Sequence, residues 1–414
     1  MNQETLDFIR QHAADDVRKL ALQASRQAHV DMPFALNQIA GRQKAQQKIP
    51  SWAAMEGLIY PPHISMEQCS SEQTACYKAR LAERLVGDVP EAGMADLTGG
   101  FGVDFSFMAR RFRKAVYVEQ QQHLCEAARH NFELLGLPQA EVVCGDGVDY
   151  LHQMTHTHLI YLDPARRDTQ GKRTYDMTDC TPDISKIADE IAGKCDFCII
   201  KLSPMLDWHQ AVAALEQTTG DGHEKHVTEV HIISLNNECK ELLLVFARHN
   251  SPKKTIYCVN DEKEFVLDIS QTAVPPLCKT IPLFTPAYSS LPGCYLYEPN
   301  ASIMKAGCFE ALADRYDVKA VGRNSHLFIS AHSIDGFPGR SFVIERVTTL
   351  NKRELKTALA GINKANIAVR NFPLAVAELR KRLRLSDGGD CYIFATTARE
   401  KEHILLICRK SMQN

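Results

Sequence analysis

The chain has 414 residues, with 48 lysines and arginines against 50 aspartates and glutamates, for a formal net charge of −2. This length gives room for two or three domains, each with its own core, and the balanced charge excludes a polyelectrolyte that holds nucleic acid by bulk charge; such contact would need local basic patches. The 14 cysteines lie mostly inside apolar runs, as at Cys144, Cys198, Cys391 and Cys408, which reads as reduced, buried thiols, and with no leader-like start and no apolar run of membrane-spanning length a soluble, cytoplasmic protein is expected.

From Glu4 to about Val86 the chain reads as helical, with Leu6, Ile9, Val17 and Leu20 at helical spacing. Ile49-Pro50 and Tyr60-Pro61-Pro62 break this region into segments. Ser70-Ser71-Glu72-Gln73 fits a capping box with Ser70 as N-cap, opening a helix through Ala75, Ala79, Ala82 and Leu85. These helices either wall a site or only stabilise, and their residues leave both readings open.

From Gly93 strands and helices alternate. Strands are predicted over 93–97, 114–119, 141–145, 158–163, 196–202, 229–235 and 242–247, and helices over 104–111, 122–135, 184–192 and 208–217. The first strand runs into Ala95-Asp96-Leu97-Thr98-Gly99-Gly100-Phe101-Gly102-Val103-Asp104. Its glycines allow a sharp strand-to-helix turn and let a ligand approach backbone amides. The second strand ends in Glu119, 17 residues beyond Gly102, a place from which an acid reaches a ribose diol. The dinucleotide fingerprint needs a glycine where Phe105 stands, so it fails. Cys144-Gly145-Asp146-Gly147 closes the third strand, and the fourth ends in Leu162-Asp163-Pro164-Ala165-Arg166-Arg167, at the edge where open α/β sheets take ligands. Only residues 236–240 separate the last two strands, too few for a crossover helix, so they form a hairpin.

Asp96 to Asp104 resembles the first motif of the class I S-adenosylmethionine-dependent methyltransferases, whose Rossmann-like, seven-stranded α/β sheet closes with an antiparallel hairpin. The resemblance implies S-adenosylmethionine as cofactor, held by Asp96, Thr98, Gly99, Gly100, Gly102 and Asp104, with Glu119 and Gln120 at the ribose and Asp146 and Gly147 at the adenine. Members that methylate exocyclic amines carry Asp/Asn-Pro-Pro and an aromatic after the fourth strand. There the carboxylate and a proline carbonyl accept the amine protons. Asp163 and Pro164 match these positions as catalytic residues, while Ala165 and Arg166 depart from the pattern. Asp-Pro-Ala-Arg also resembles the fourth motif of RNA 5-methyluridine methyltransferases. Their nucleophilic cysteine would fall at Leu202 of Ile200-Lys201-Leu202-Ser203-Pro204, so that covalent chemistry is rejected, and Ser203 and Pro204 are retained as substrate contacts. Along nearly its whole length the chain resembles the methyltransferase group with a C-terminal THUMP-like domain.

Arg166, Arg167, Lys172 and Arg173 suit phosphate contacts, or simply a solvated loop. Beyond Arg248, strands are predicted over 254–259, 264–269, 325–330, 341–347, 365–369, 391–395 and 403–408, with helices over 353–360 and 373–385. The last helix has Pro373 near its first turn and ends in Arg380, Lys381, Arg382 and Arg384, which either touch RNA or offset the helix dipole. The expected organisation is a helical region over 1–88, a methyltransferase domain over 89–250, a small α+β (ferredoxin-like) subdomain over 251–322 and a THUMP-like domain over 323–414. Cys195 and Cys198 have redox-motif spacing, but on a strand their side chains point to opposite faces, and no second such pair completes a zinc tetrad. His223 with His226 lacks zinc-protease spacing, so no metal is expected. The expected activity is methylation of RNA (tRNA or rRNA), at a base and in particular an exocyclic amine. A protein or small-molecule methyltransferase, or a non-catalytic RNA-binding protein on the same fold, are the alternatives.

Overall fold

The computed structural model describes residues 2–23, 29–166, 180–216, 226–248, 253–270, 283–285, 287–398 and 402–411. It forms two compact units, Met1–Val230 with Glu241–Lys254, and His231–Lys240 with Thr255–Asn414.

The first unit opens with six helices, α1 (Gln3–Gln11), α2 (Val17–Gln23), α3 (Met32–Lys48), α4 (Pro50–Ala53), α5 (His63–Gln68) and α6 (Glu72–Val86). Asn2 caps α1 by accepting from the Thr5 amide at 2.9 Å, and Asp31 caps α3 by accepting from Phe34 at 3.1 Å. Phe8, Leu20, Met32, Ala35 and Ile39 pack together between α1, α2 and α3. Ile49 precedes a proline and leaves the helical region at φ −142°, which separates α3 from α4. The cap of α6 is Ser71, whose hydroxyl accepts from the Thr74 amide. This corrects the expected cap at Ser70, whose side chain is buried and bonded elsewhere.

Strands β1 (Gly93–Asp96), β2 (Lys114–Glu119), β3 (Ala140–Cys144), β4 (Thr157–Leu162), β5 (Cys195–Leu202), β6 (His226–Leu235) and β7 (Glu238–Ala247) lie in the order β6-β7-β5-β4-β1-β2-β3. β1 to β5 pair in parallel and β7 runs antiparallel to β5. Central strands are apolar on both faces, as Ala115, Val116, Tyr117 and Val118 of β2 are all buried, because helices cover the sheet on both sides. These are α7 (Val103–Met108), α8 (Gln122–Leu134), α9 (Gly147–Gln153), α10 (Ile184–Lys194) and α11 (Trp208–Glu216). α9 is not among the helices expected from the sequence.

In the second unit the β6–β7 turn is only Asn236-Asn237, at φ 52° and 61°, the left-handed pair that a two-residue hairpin needs and asparagine tolerates. β8 (Thr255–Asn260) and β9 (Lys263–Asp268) form a second hairpin. The remaining strands are β10 (Tyr295–Pro299), β11 (Lys319–Ala320), β12 (Phe328–Ser330), β13 (Gly339–Thr348), β14 (Asn366–Arg370), β15 (Cys391–Ala398) and β16 (Glu402–Lys410), in the order β11-β12-β10-β13-β16-β15-β14. The period-two alternation sends Phe342, Phe394, Leu406 and Cys408 to one core and Ile393, Ala395, Leu405 and Ile407 to another. Helices α12 (Ala301–Ala306), α13 (Phe309–Tyr316), α14 (Lys352–Ala358) and α15 (Val376–Leu383) complete the unit. Pro373 lies outside α15, whose N-cap is Ala375. Among the described residues no helix is long and apolar enough to cross a membrane.

Candidate active site

The glycines after β1 are demanded by close approach. A Cβ at Gly99 would strike the Tyr117 ring, and one at Gly147 would strike the Leu97 carbonyl. Gly102 sits at φ 81°, with the Phe132 ring 2.8 Å from where its Cβ would be. The loop they allow is tied to neighbouring strand ends. Gly99 donates to the Val118 carbonyl at 2.8 Å and Gly100, at φ 57°, donates to Glu119 Oε2 at 2.8 Å. Glu119 Oε1 accepts from the Gln121 amide at 2.8 Å. A carboxylate offers about four acceptor positions, so room remains on Glu119 for a vicinal diol. Asp146 caps α9, accepting from Val148 at 2.7 Å, and its other oxygen accepts from Gln120 Nε2 at 2.5 Å. Phe101, at the tip of the loop, meets Trp52 edge-on at 5.0 Å, so the N-terminal helices cover the loop.

Thr98 joins the loop to the end of β4. Its amide donates to Asp96 Oδ1 at 2.9 Å, and its hydroxyl accepts from the Asp163 amide at 2.6 Å. Burial pushes the Asp96 carboxyl up to about 8, and the nearby Asp104 and Asp163 add to the rise. Pro164 is buried behind Asp163. Asp163 itself is open to solvent, its side chain 40% exposed. Confinement against the protein raises its carboxyl pKa, against the opposing pull of Lys201.

Behind Asp163 lies a cluster of buried charges. Lys201 Nζ is 2.6 Å from Asp163 Oδ2 and 3.8 Å from Asp104 Oδ2. Asp104 also accepts from the Tyr161 hydroxyl at 2.7 Å and the Ser70 hydroxyl at 2.8 Å. Lys78, with none of its side chain exposed, lies 3.0 Å from Asp104 Oδ1 and 2.5 Å from Glu241 Oε2. Burial opposes charge on Asp104, but Lys78 and Lys201 outweigh it and hold the carboxyl below its ordinary value. Burial likewise opposes charge on Lys201, yet Asp163, Glu241 and Asp104 hold its pKa above the usual range. Asp104, expected at the cofactor, therefore has its oxygens turned to this cluster.

The other expected residues divide. Ser203 and Pro204 follow β5 directly, with the Ser203 hydroxyl accepting from the Met205 amide at 3.2 Å. The backbone of Arg166 pairs with Cys180, while its side chain, and Arg167, Lys172 and Arg173, lie outside the described residues. In the second unit Lys381, Arg382 and Arg384 are exposed at the end of α15. Arg380 is committed internally, donating to the Ala365 carbonyl at 2.9 Å and pairing with Asp387 at 2.6 Å.

Residues 295–338 match a ferredoxin-like domain family and residues 339–410 the THUMP domain-like family. Over 355 residues the chain is 23% identical to proteins from two Mycobacterium tuberculosis strains, CDC 1551 and H37Rv, named uncharacterized S-adenosylmethionine-dependent methyltransferases, covering 84% of this chain and 88% of theirs. The crystal structure of a candidate methyltransferase from Porphyromonas gingivalis W83 superposes with a TM-score of 0.81 at 29% identity, covering 99% of both chains. The chain belongs to the class I S-adenosylmethionine-dependent methyltransferases with a C-terminal THUMP-like domain. Within this methyltransferase, Lys201, Lys78, Ser70, Tyr161 and Glu241 had not been singled out as site residues from the sequence. Two signals were available: a lysine inside the apolar run Phe197 to Leu202, and Lys78 on the buried stripe of Ala75, Ala79 and Ala82.

Proposed function

We propose that this methyltransferase uses S-adenosylmethionine to methylate an RNA base (of tRNA or rRNA), at an exocyclic amine. The observation that carries the reading is Asp163. It is a partly open carboxylate at the end of β4, bonded through Thr98 to the glycine-rich loop and flanked by the Pro164 carbonyl. The cofactor, when bound, supplies an activated methyl group on a sulfonium, so the protein's task is alignment more than activation, and positioning is worth roughly 7–11 kcal/mol of barrier. In this reading Asp96 faces the cofactor's positive charge, Glu119 takes its ribose hydroxyls with Gln120 beside it, and Asp146 with Gly147 borders the adenine. Thr98, Gly99, Gly100 and Gly102 shape the loop.

Asp163 and the carbonyl of Pro164 accept the two protons of a substrate amine, which turns its lone pair toward the methyl group and steadies the positive charge developing on nitrogen. Ser203 and Pro204 border the substrate, Arg166 and Arg167 approach its phosphates, and Lys381, Arg382 and Arg384 contact RNA from the C-terminal module. Covalent attack through a thiol is disfavoured. Cys69 lies within electrostatic reach of Asp104 and Lys201, but burial pushes its thiol up to about 11, leaving it protonated at neutral pH. The segments 1–88, 89–250, 251–322 and 323–414 are the corresponding helical, catalytic, ferredoxin-like and THUMP-like parts.

The test is methyl transfer from labelled S-adenosylmethionine to total RNA of a strain lacking the protein, with wild-type RNA as control and nucleoside analysis of the product. Label entering only the deletion-strain RNA, at an exocyclic amine, supports the reading. Label entering protein or small molecules instead, or a C-methylated base, overturns it.

A further inference from the structure

The buried charge cluster asks for an explanation that stability does not provide. Taking lysines and carboxylates out of water is costly, and a well-packed apolar replacement is often as stable or more so. Here three carboxylates, Asp104, Glu241 and Asp163, share two ammonium groups, Lys78 and Lys201, in the sheet's interior edge. Sheet register dictates the meeting point. Leu162 pairs with Ile200, so the next residues on the two strands, Asp163 and Lys201, stand side by side. The cluster reaches solvent through Asp163, since Lys201 is only 11% exposed and Lys78 not at all.

We infer that Lys201 is the positioning residue for Asp163, fixing its carboxylate in one orientation and in its ionised form, while Asp104 fixes Lys201. This inference rests on the reading of Asp163 as the group that receives the substrate. Lys201 has three N–H donors; one is spent on Asp163 Oδ2 at 2.6 Å, which leaves Oδ1 to face the substrate. Asp104 cannot drift away from Lys201, because Tyr161, Ser70 and Lys78 hold it from β4, the α5–α6 connection and α6. Lys78 is held in turn by Glu241 of β7. The groups that bear on the charge of Asp163 are therefore Lys201 and Lys78 in favour, with Asp104 against. Glu241 and Asp96 add negative potential from the flanking strands, and Lys48 lies near Lys201 from α3.

Two measurements on the full-length protein test this. The first follows the Asp163 carboxyl carbon by NMR in protein labelled with carboxyl-13C aspartate, the resonance being assigned by its loss in Asp163→Asn. In Lys201→Met it should titrate at higher pH than in wild type, and in Lys201→Arg close to wild type. The second is single-turnover methyl transfer to deletion-strain RNA across pH. Lys201→Met should lose roughly 10²-fold in rate at neutral pH, the scale of a small misplacement, with KM for RNA little changed and the acid limb moved to higher pH. Lys201→Arg should recover part of the rate. Asp104→Asn removes a negative charge that raises the Asp163 pKa, so its resonance should titrate no higher than in wild type while the loosened Lys201 costs methyl-transfer rate. Lys201→Gln, which also removes the ammonium, serves if Lys201→Met does not fold.

An Asp163 resonance that titrates alike in wild type and Lys201→Met, or alike in wild type and Lys201→Gln where Lys201→Met does not fold, overturns the inference. If the resonance moves but the wild type transfers no methyl group to RNA, the RNA reading fails and the hold of Lys201 on Asp163 stands. If the wild type methylates RNA and the resonance does not move, the RNA reading stands and this inference falls.

Discussion

Replacing Lys78 by methionine should weaken the first unit more than any other single substitution of a charged residue in it. Lys78→Met keeps the length of the side chain but removes an ammonium 2.5 Å from Glu241, 2.9 Å from Ser70 and 3.0 Å from Asp104. Two carboxylates then remain buried with Lys201 as their nearest cation, 3.8 Å from Asp104. Breaking a buried pair by removing one partner costs about 3–5 kcal/mol, and at about 3 kcal/mol per molar of urea for a unit of this size the midpoint should fall by about 1–2 M. Both tryptophans, Trp52 and Trp208, are buried in this unit, so their fluorescence reports its unfolding alone. The pH dependence carries the sign. In wild type Asp104 is held below its ordinary pKa, so its contribution is present above the unfolded pKa and lost as pH falls through the folded one. In Lys78→Met the carboxylates gain by taking up protons, so the deficit should be larger at about pH 8 than at about pH 5. Adding Glu241→Gln should return part of the loss. An unchanged midpoint, or an equal deficit at both pH values, would mean that water already solvates this cluster and that the argument from burial is wrong.

Glu119→Ala should cost about 1.5–3 kcal/mol in S-adenosylmethionine affinity by calorimetry, and unchanged affinity would remove Glu119 from the cofactor site. Asp96 keeps its proton to about pH 8. Between the unfolded value near 4 and about 8 it therefore lowers stability as pH rises, and the cationic cofactor should bind more tightly across the upper part of that range; a flat affinity profile that Asp96→Asn does not alter would refute this. Asp163→Asn should bind cofactor nearly as wild type while losing most single-turnover methyl transfer, whereas a variant that is fully active would take Asp163 out of the chemistry. If Lys381, Arg382 and Arg384 meet RNA phosphates, neutralising all three should flatten the log–log salt slope of binding by about 2, at about 0.7 per single-strand contact; an unchanged slope would leave them a solvated helix end.

The sheet was legible in the sequence because its signals are local. Each strand carried its own apolar run, and the short link before β7 required a hairpin. The glycine-rich loop was legible for the same reason, since Gly99 and Gly102 answer to the rings of Tyr117 and Phe132 packed beside them. Local signals also misled. Ser70 fits the capping box as well as Ser71 does, but the chain uses Ser71, because the hydroxyl of Ser70 is drawn to Asp104 and Glu241. Helix α9 was hidden by a glycine at its first position and by its length of seven residues. The charge cluster left almost no trace. Lys78 and Glu241 are 163 residues apart, and Lys201 and Asp163 are 38 apart. No pattern of neighbours reports a pairing that exists only after β4, β5, β7 and α6 have come together.

That same distance in sequence bears on whether the helices before β1 wall a site or merely stabilise. Trp52 packs on Phe101 of the glycine-rich loop, and Lys78 and Ser70 supply two of the groups that hold Asp104. A cap that only stabilised the sheet would be expected to meet it through apolar side chains, as α1 and α3 meet each other through Phe8 and Ile39. α6 instead sends a fully buried lysine to Asp104, which faces Lys201, which faces Asp163. If Asp163 receives the substrate as proposed, the helices before β1 belong to the site as much as to the core, since the fully buried Lys78 of α6 is linked to its carboxylate through Asp104 and Lys201.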